Sequence, residues 1–160
     1  MIQIGFTRTN TLLSNIIRLG TSGVYSHAFI SYYDPIIGDN MCMEAQWDGF
    51  HLKKLSKATI NDTKVEIITP KHSIKELPKV CANYLGDPYD YPGIMGAVPV
   101  MLARFFKIKL KNVTEDAKAK FCSEAITLGL QEIKYPGAEK LIANQTTPQD
   151  LYNFFKNEQA

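Results

Sequence analysis

A chain of 160 residues is long enough to bury a real core and is most simply one domain spanning residues 1–160; a chain of ~150 residues hides roughly 70% of its unfolded surface. The apolar fraction of 45% is ordinary for a globular protein, and a net charge of +2 with scattered basic residues gives no ground for a nucleic-acid partner. Cysteines at 42, 81 and 122 form no C-x-x-C pair, and the three histidines lack ligand spacing, which argues against a disulfide framework, a structural metal or another bound cofactor.

The start, Met1-Ile2-Gln3-Ile4-Gly5, has no basic leader and no small-residue cleavage site. It reads as a first strand through Ile2, Ile4 and Phe6, not as a signal peptide, so the cytoplasm is the default location. Release by lysis or export without a signal stays open. Thr11 to Leu19 reads as a helix with Leu12, Leu13, Ile16 and Ile17 on one face and Gly20 as its stop. Tyr25 to Tyr33 is a near-continuous apolar run that ends at Asp34-Pro35, the pattern of a central strand. Met41 to Trp47 and Phe50 to Leu55 flank Asp48-Gly49 and predict a hairpin. Val65 to Thr69 is a further β-branched strand.

Ser73 to Leu85 has a helical pattern interrupted by Pro78, which fits only if Pro78 lies in the first turn of the main helix and Gly86 ends it. The segment from Asp87 to Gly93 is turn-rich and aromatic. Ile94 to Phe106 predicts a helix kinked at Pro99; its apolar run is shorter than the roughly 20 residues a bilayer span needs. Peripheral lipid contact, or an apolar substrate groove, are the sharper readings of that run. Lys107, Lys109 and Lys111 read as a solvated loop. Cys122 to Gln131 and the segment opening at Thr147-Pro148-Gln149-Asp150 predict the remaining helices. The fold class expected is α+β, an antiparallel sheet with helices packed against it.

Three residues carry the chemistry. A lone cysteine in a helix is most often a small buried hydrophobe. Cys122 differs by its place at a helix start beside Ser123 and Glu124, where free backbone N–H groups favour a thiolate and can bind an oxyanion. His27 opens a buried strand, and an imidazole there can relay a proton. Glu44 is a carboxylate within the strand Met41-Cys42-Met43-Glu44-Ala45 and needs a partner, which His27 supplies if the strands are neighbours. Cys42 and Cys81 read as packing residues, and His51 and His72 as solvent-facing.

Four short strings resemble the motifs of NlpC-type papain-like cysteine peptidases and amidases. Ser26-His27-Ala28-Phe29-Ile30-Ser31-Tyr32 is similar to the histidine strand of that family, and Met43-Glu44-Ala45 to the strand of the third residue. Gly86-Asp87-Pro88-Tyr89 is similar to its G-x-P-Y segment, and Phe121-Cys122-Ser123-Glu124 to its nucleophile segment. The order is rotated, histidine first and cysteine last, as in the circularly permuted YiiX-like members. The strings 89–93 and 147–151 also resemble that group. Phe121 and Glu124 stand where unpermuted relatives carry Asp and Gly, and both fit the permuted group.

The resemblance implies a circularly permuted papain-like NlpC-type fold. It implies Cys122 as nucleophile, His27 as proton relay and Glu44 as its orienting acid. It also implies that the Cys122 N–H, Tyr89, Ser123 and Tyr25 serve the oxyanion or the substrate. No metal is implied. The reaction would be attack on an amide, such as a peptidoglycan-type peptide, through an acyl-thioenzyme. The alternatives are a lipid amidase, esterase or acyltransferase with an apolar groove, or a non-catalytic module of the same fold that binds a peptide or lipid.

Overall fold

Alternating side chains build five strands in this protein: β1 (Ile2–Arg8), β2 (His27–Asp34), β3 (Asp39–Gln46), β4 (Gly49–Lys54) and β5 (Lys64–Ile68). The computed structural model describes residues 1–46, 48–86 and 122–159. The strands form one antiparallel sheet in the order β4-β3-β2-β1-β5. The strand with the longest apolar run, β2, is the central one, and its residues Ala28 to Ser31 are buried in succession.

The pleat divides the sheet residues between two faces. Ile4, Phe6, Ala28, Ile30, Met43, Ala45 and Ile68 belong to the main apolar core. The alternate positions Gly5, Thr7, His27, Phe29, Glu44 and Gln46 take the opposite face. Gly5 is required there, because the ring of Phe29, its cross-strand partner, lies directly on the Gly5 backbone.

The β2–β3 ladder runs from Asp34↔Asp39 to Ile30↔Met43. Beyond that point β3 pairs with β4 alone, from Glu44↔His51 to Gln46↔Gly49. The first residues of β2 are therefore released from β3 on that side, and their backbone groups are free for other partners.

Helix α1 (Leu12–Thr21) begins at Thr11, whose hydroxyl accepts the Ser14 N–H at 3.2 Å. It does not stop at Gly20. It runs to Thr21 and ends at Ser22, in the left-handed region with φ 50°. Leu12 is 77% exposed while Ile17 is buried, so the inward face is narrower than the pattern suggested. A one-turn helix α2 (Leu55–Ala58), absent from the sequence reading, follows β4 directly.

Helix α3 is shorter than expected, Leu77–Cys81, with Pro78 in its first turn, and continues as a 3₁₀ turn at Ala82–Tyr84. Proline lacks the N–H that a continuing helix needs, so residues 73–76 stay outside. Gly86 then takes φ 87°. Helix α4 (Cys122–Glu132) packs over β2 and β3, with α3 on its other side, where Gly129 lets Leu77 and Cys81 approach closely. Helix α5 (Pro148–Asn157) has the expected cap: Asp150 N–H donates to Thr147 Oγ1, and Thr147 N–H donates back to the Asp150 carboxylate.

The hairpin also closes differently. Gln46 pairs with Gly49, so Gly49 lies in the ladder, with φ 121°, and not in the turn. Among the described residues no helix is long and apolar enough to cross a membrane. The expected helix at 94–106, the G-x-P-Y string with Tyr89, and the lysines at 107, 109 and 111 lie outside the described residues.

Gly5→Ala would place a Cβ 2.0 Å from Phe29 Cζ, inside a ring that is only 1% exposed and has nowhere to move. Overpacking of this kind costs about 1–3 kcal/mol. We expect a melting temperature lower by roughly 2–4 °C per kcal/mol for a chain of this size, read in a thermal melt. An unchanged melt would mean that the ring does not rest on this backbone.

Candidate active site

The site forms where the β2–β3 ladder ends. His27 is the first residue of β2, and Glu44 is the first residue of β3 past the last β2–β3 pair. Their side chains share a sheet face one diagonal step apart, within reach of one another. His27 Nε2 and Glu44 Oε2 are 2.8 Å apart. With Nε2 held by the carboxylate, Nδ1 is the nitrogen left for the thiol of Cys122, with which His27 makes a hydrogen bond.

Cys122 lies in the first turn of α4 and is 5% exposed. Its sulfur accepts hydrogen bonds from the backbone N–H groups of Ala28 and Ser123. The Ala28 group comes from the stretch of β2 that β3 has released. The end of the ladder thus supplies both the imidazole and a donor for the sulfur.

These contacts outweigh burial. Burial by itself pushes the Cys122 thiol up, but the facing imidazolium charge, its hydrogen bond and the two backbone N–H groups bring it below the ordinary thiol value of 9.0. Burial by itself pushes His27 down. The Cys122 charge and hydrogen bond, then those of Glu44, lift it from 6.5 to about 10. Both shifts favour a thiolate–imidazolium pair, since each charge stabilises the other. The remaining thiols behave in the opposite way. Burial raises Cys81 to about 12, and burial together with the Glu44 charge raises Cys42 further.

Glu44 is itself only 2% exposed and is held at both oxygens. Gln46 Nε2 donates to Oε1 at 2.7 Å, and Lys53 Nζ donates to Gln46 Oε1 at 3.1 Å while standing 3.9 Å from Glu44 Oε1. A buried carboxylate is tolerable when its lone pairs are filled and a countercharge is near. Gln46 and Lys53 are the residues that sequence reasoning missed. The available signal was spacing: Gln46 follows Glu44 by two positions, on the same sheet face.

Beside His27 opens a cleft of about 370 Å³, bounded among others by Thr7, Ser14, Ser26, Gln46 and Asp62. Its walls mix serine and threonine hydroxyls with the apolar side chains of Ile17, Ala45 and Ala58. Ser14 Oγ and Ser26 Oγ are 2.6 Å apart, and Ser14 Oγ donates to the Thr9 carbonyl.

Other residues named from the sequence are placed elsewhere. The Ser123 hydroxyl is fully buried and donates to the Thr146 carbonyl at 2.7 Å, so Ser123 can serve the sulfur only through its backbone N–H. The Tyr25 hydroxyl donates to Glu66 Oε2, and Tyr152 and Lys156 reach Oε1 of the same carboxylate at 3.0 Å each. Tyr25 packs against Phe6 and Tyr152 under α5, which makes it an anchor for that helix and not a wall of the cleft. Tyr89 lies outside the described residues. His72 is exposed, whereas His51 is half-buried with Nε2 2.8 Å from Asp48.

No protein-family model matches the sequence, and no curated protein matches it. Among solved structures the chain is similar to YiiX from Escherichia coli O157:H7, described as a metalloprotein, with a TM-score of 0.60 and 19% sequence identity. The likeness covers 81% of this chain and 63% of that one, so the chain spans less than two thirds of its neighbour's length. The fold is therefore YiiX-like: α+β, with a five-stranded antiparallel sheet. Among the described residues no three His, Cys, Asp or Glu side chains form a metal-binding group. His27 stands between Glu44 and Cys122, so these donors form a line and do not converge on one point.

The charge state is testable by alkylation. An ordinary thiol loses about tenfold in reactivity for each pH unit below its pKa, because only the thiolate attacks. Cys122 has a depressed pKa, so its thiolate persists above that value and is lost only as pH falls through it. With iodoacetamide on the native protein, we expect the Cys122 rate to fall far less between pH 8.5 and 6.5 than the roughly 50-fold of an unperturbed thiol with a pKa of ~8.5. Cys42 and Cys81 should stay unlabelled until the chain is denatured, as read by peptide mass spectrometry.

Proposed function

We propose that this protein is a thiol hydrolase of the circularly permuted NlpC-type, papain-like class, acting on an amide through an acyl-thioenzyme. The observation that carries the reading is the line Cys122–His27–Glu44, buried at both ends and open to the cleft at His27, with its charges favouring a thiolate, an imidazolium and a carboxylate.

The steps follow from those groups. The Cys122 thiolate attacks the carbonyl carbon and forms a C–S bond. The carbonyl oxygen becomes an oxyanion, for which the backbone N–H at the start of α4 is the nearest kind of donor. The imidazolium of His27 gives its Nδ1 proton to the departing nitrogen as the C–N bond breaks. His27, now neutral, takes a proton from water, the water oxygen attacks the thioester, and the thiolate leaves. Glu44 accepts a hydrogen bond from the Nε2–H throughout and stays ionised, which fixes the ring and stabilises its charged form.

The serine and threonine hydroxyls of the cleft beside His27 suit a polar substrate such as a peptide, which the apolar side chains of Ile17, Ala45 and Ala58 would pack against. Nothing among the described residues favours a lipid groove or a binding-only module. A module that only binds has no use for a thiolate held by an imidazolium. The default cytoplasmic location is part of this proposal.

Turnover of a panel of peptide amides and p-nitroanilides tests it. Cys122→Ala should abolish turnover and acyl-enzyme formation while the melt stays cooperative. His27→Ala should cost about 10²–10⁴-fold in kcat, the usual worth of a positioned acid–base group. Glu44→Gln should cost less, because an amide oxygen still accepts from Nε2. Persistent turnover in Cys122→Ala would overturn the reading.

The pH profile follows from the same shifts. The nucleophile must be ionised and His27 protonated, so kcat/KM should rise as pH passes the depressed Cys122 value. It should fall as pH passes about 10, where His27 loses its proton.

A further inference from the structure

The charges around the cleft do not balance. Cys122 and His27 neutralise each other, and Glu44 has Lys53 within 3.9 Å. Asp62 is the remaining charged side chain of the cleft wall. It is half-buried, in the turn that leads into β5. The Thr7 hydroxyl donates to its carboxylate, and His27 lies close enough to act on it electrostatically. Among the described residues no Lys or Arg pairs with it. The groups facing it are Thr7, His27 and Glu44, and the last of these is also an anion.

A half-buried carboxylate with one hydroxyl partner is under-stabilised by the protein alone. The His27 imidazolium is the main charge that offsets its burial, but that same charge is shared with the thiolate and Glu44, and burial still holds the Asp62 carboxyl above its ordinary range. Around Asp62 the cleft presents Thr7, Ser14, Ser26 and Gln46, which donate or accept hydrogen bonds but carry no charge. Hydroxyls and one anion in a concave site suit a hydrated or protonated amine. They do not suit a carboxylate or phosphate.

We propose that this cleft receives a protonated amine of the substrate, and that Asp62 is the residue that selects it. The inference rests on the thiol-hydrolase reading and adds the substrate class: amides that carry an ammonium group near the scissile carbonyl. Asp62 touches the bound amine and not the reacting atoms, so it determines specificity. The amine's charge completes the cleft's balance, and its N–H groups take the carboxylate oxygens and neighbouring hydroxyls.

Thiol-directed reagents of like size and unlike charge test the cleft without a known substrate. The set is a cationic 2-(trimethylammonio)ethyl, its neutral isostere 3,3-dimethylbutyl and an anionic 2-sulfonatoethyl methanethiosulfonate. Each reacts when the Cys122 thiolate attacks the sulfenyl sulfur, forming a disulfide and releasing methanesulfinate. At pH 8 and low salt, we expect the cationic reagent to modify Cys122 about tenfold faster than the neutral one, and the anionic reagent more slowly. Asp62→Asn should bring the cationic-to-neutral ratio close to one. Asp62→Glu, which keeps the charge, should retain the preference.

A ratio that survives Asp62→Asn would overturn the proposal. If Cys122 reacts no faster than Cys42 and Cys81 with every reagent, the hydrolase reading itself fails, which is a separate result. Once a substrate is found, a free-amine amide should show a raised KM in Asp62→Asn, with its N-acetylated counterpart unaffected.

Discussion

The structure depends on one constraint: the β2–β3 ladder must end at Ile30↔Met43. A ladder that continued would pair the first residues of β2 with β3 and occupy the backbone N–H of Ala28. Because it ends, that N–H turns to the Cys122 sulfur, and the His27–Glu44 contact spans the gap that backbone pairing leaves. A charge-assisted hydrogen bond replaces the missing ladder. Helix α4, packed over the same two strands, brings the thiol to the opening.

The electrostatic arrangement follows from this geometry. Burying a thiolate, an imidazolium and a carboxylate singly would be prohibitive, and each would neutralise instead. Placed in line, they alternate in sign, and every charge has an opposite neighbour. Lys53 extends the alternation on one side through Gln46. On the other side the sequence of charges runs out at the cleft, where Asp62 faces the His27 imidazolium but, among the described residues, has no Lys or Arg of its own. A chain of alternating charges that stops on an anion at an open cleft is the arrangement from which a cationic substrate group follows.

Much of the site was legible because the chemistry of single residues was out of place. A carboxylate inside an apolar strand and a histidine at the head of another are conspicuous, and each is the natural partner of the other. Gln46 was not conspicuous, because a glutamine near a strand end is ordinary; its role comes from pointing at Glu44 Oε1. Ser123 and Tyr25 show the converse. Both are polar and adjacent to chemistry in sequence, yet the Ser123 hydroxyl is held by the Thr146 carbonyl and the Tyr25 hydroxyl by Glu66. Adjacency along a helix or strand does not fix where a side chain points.

The sequence by itself determined the strands, the central place of β2, the α5 cap and the first-turn position of Pro78. Each of these depends on local periodicity or on the stereochemistry of one residue. It also determined which groups could be nucleophile, relay and acid, since few side chains combine those properties with burial. Only the tertiary structure decided where helices and hairpin close: past Gly20 at Ser22, after residues 73–76, and with Gly49 inside the ladder. Those ends are set by competition between neighbouring backbone hydrogen bonds, to which single-residue preferences contribute little. It also decided the direction in which Cys122 and His27 shift and the place of Asp62 on the cleft wall. Charge states depend on distances between residues far apart in the chain, and those distances exist only once the sheet and α4 have packed.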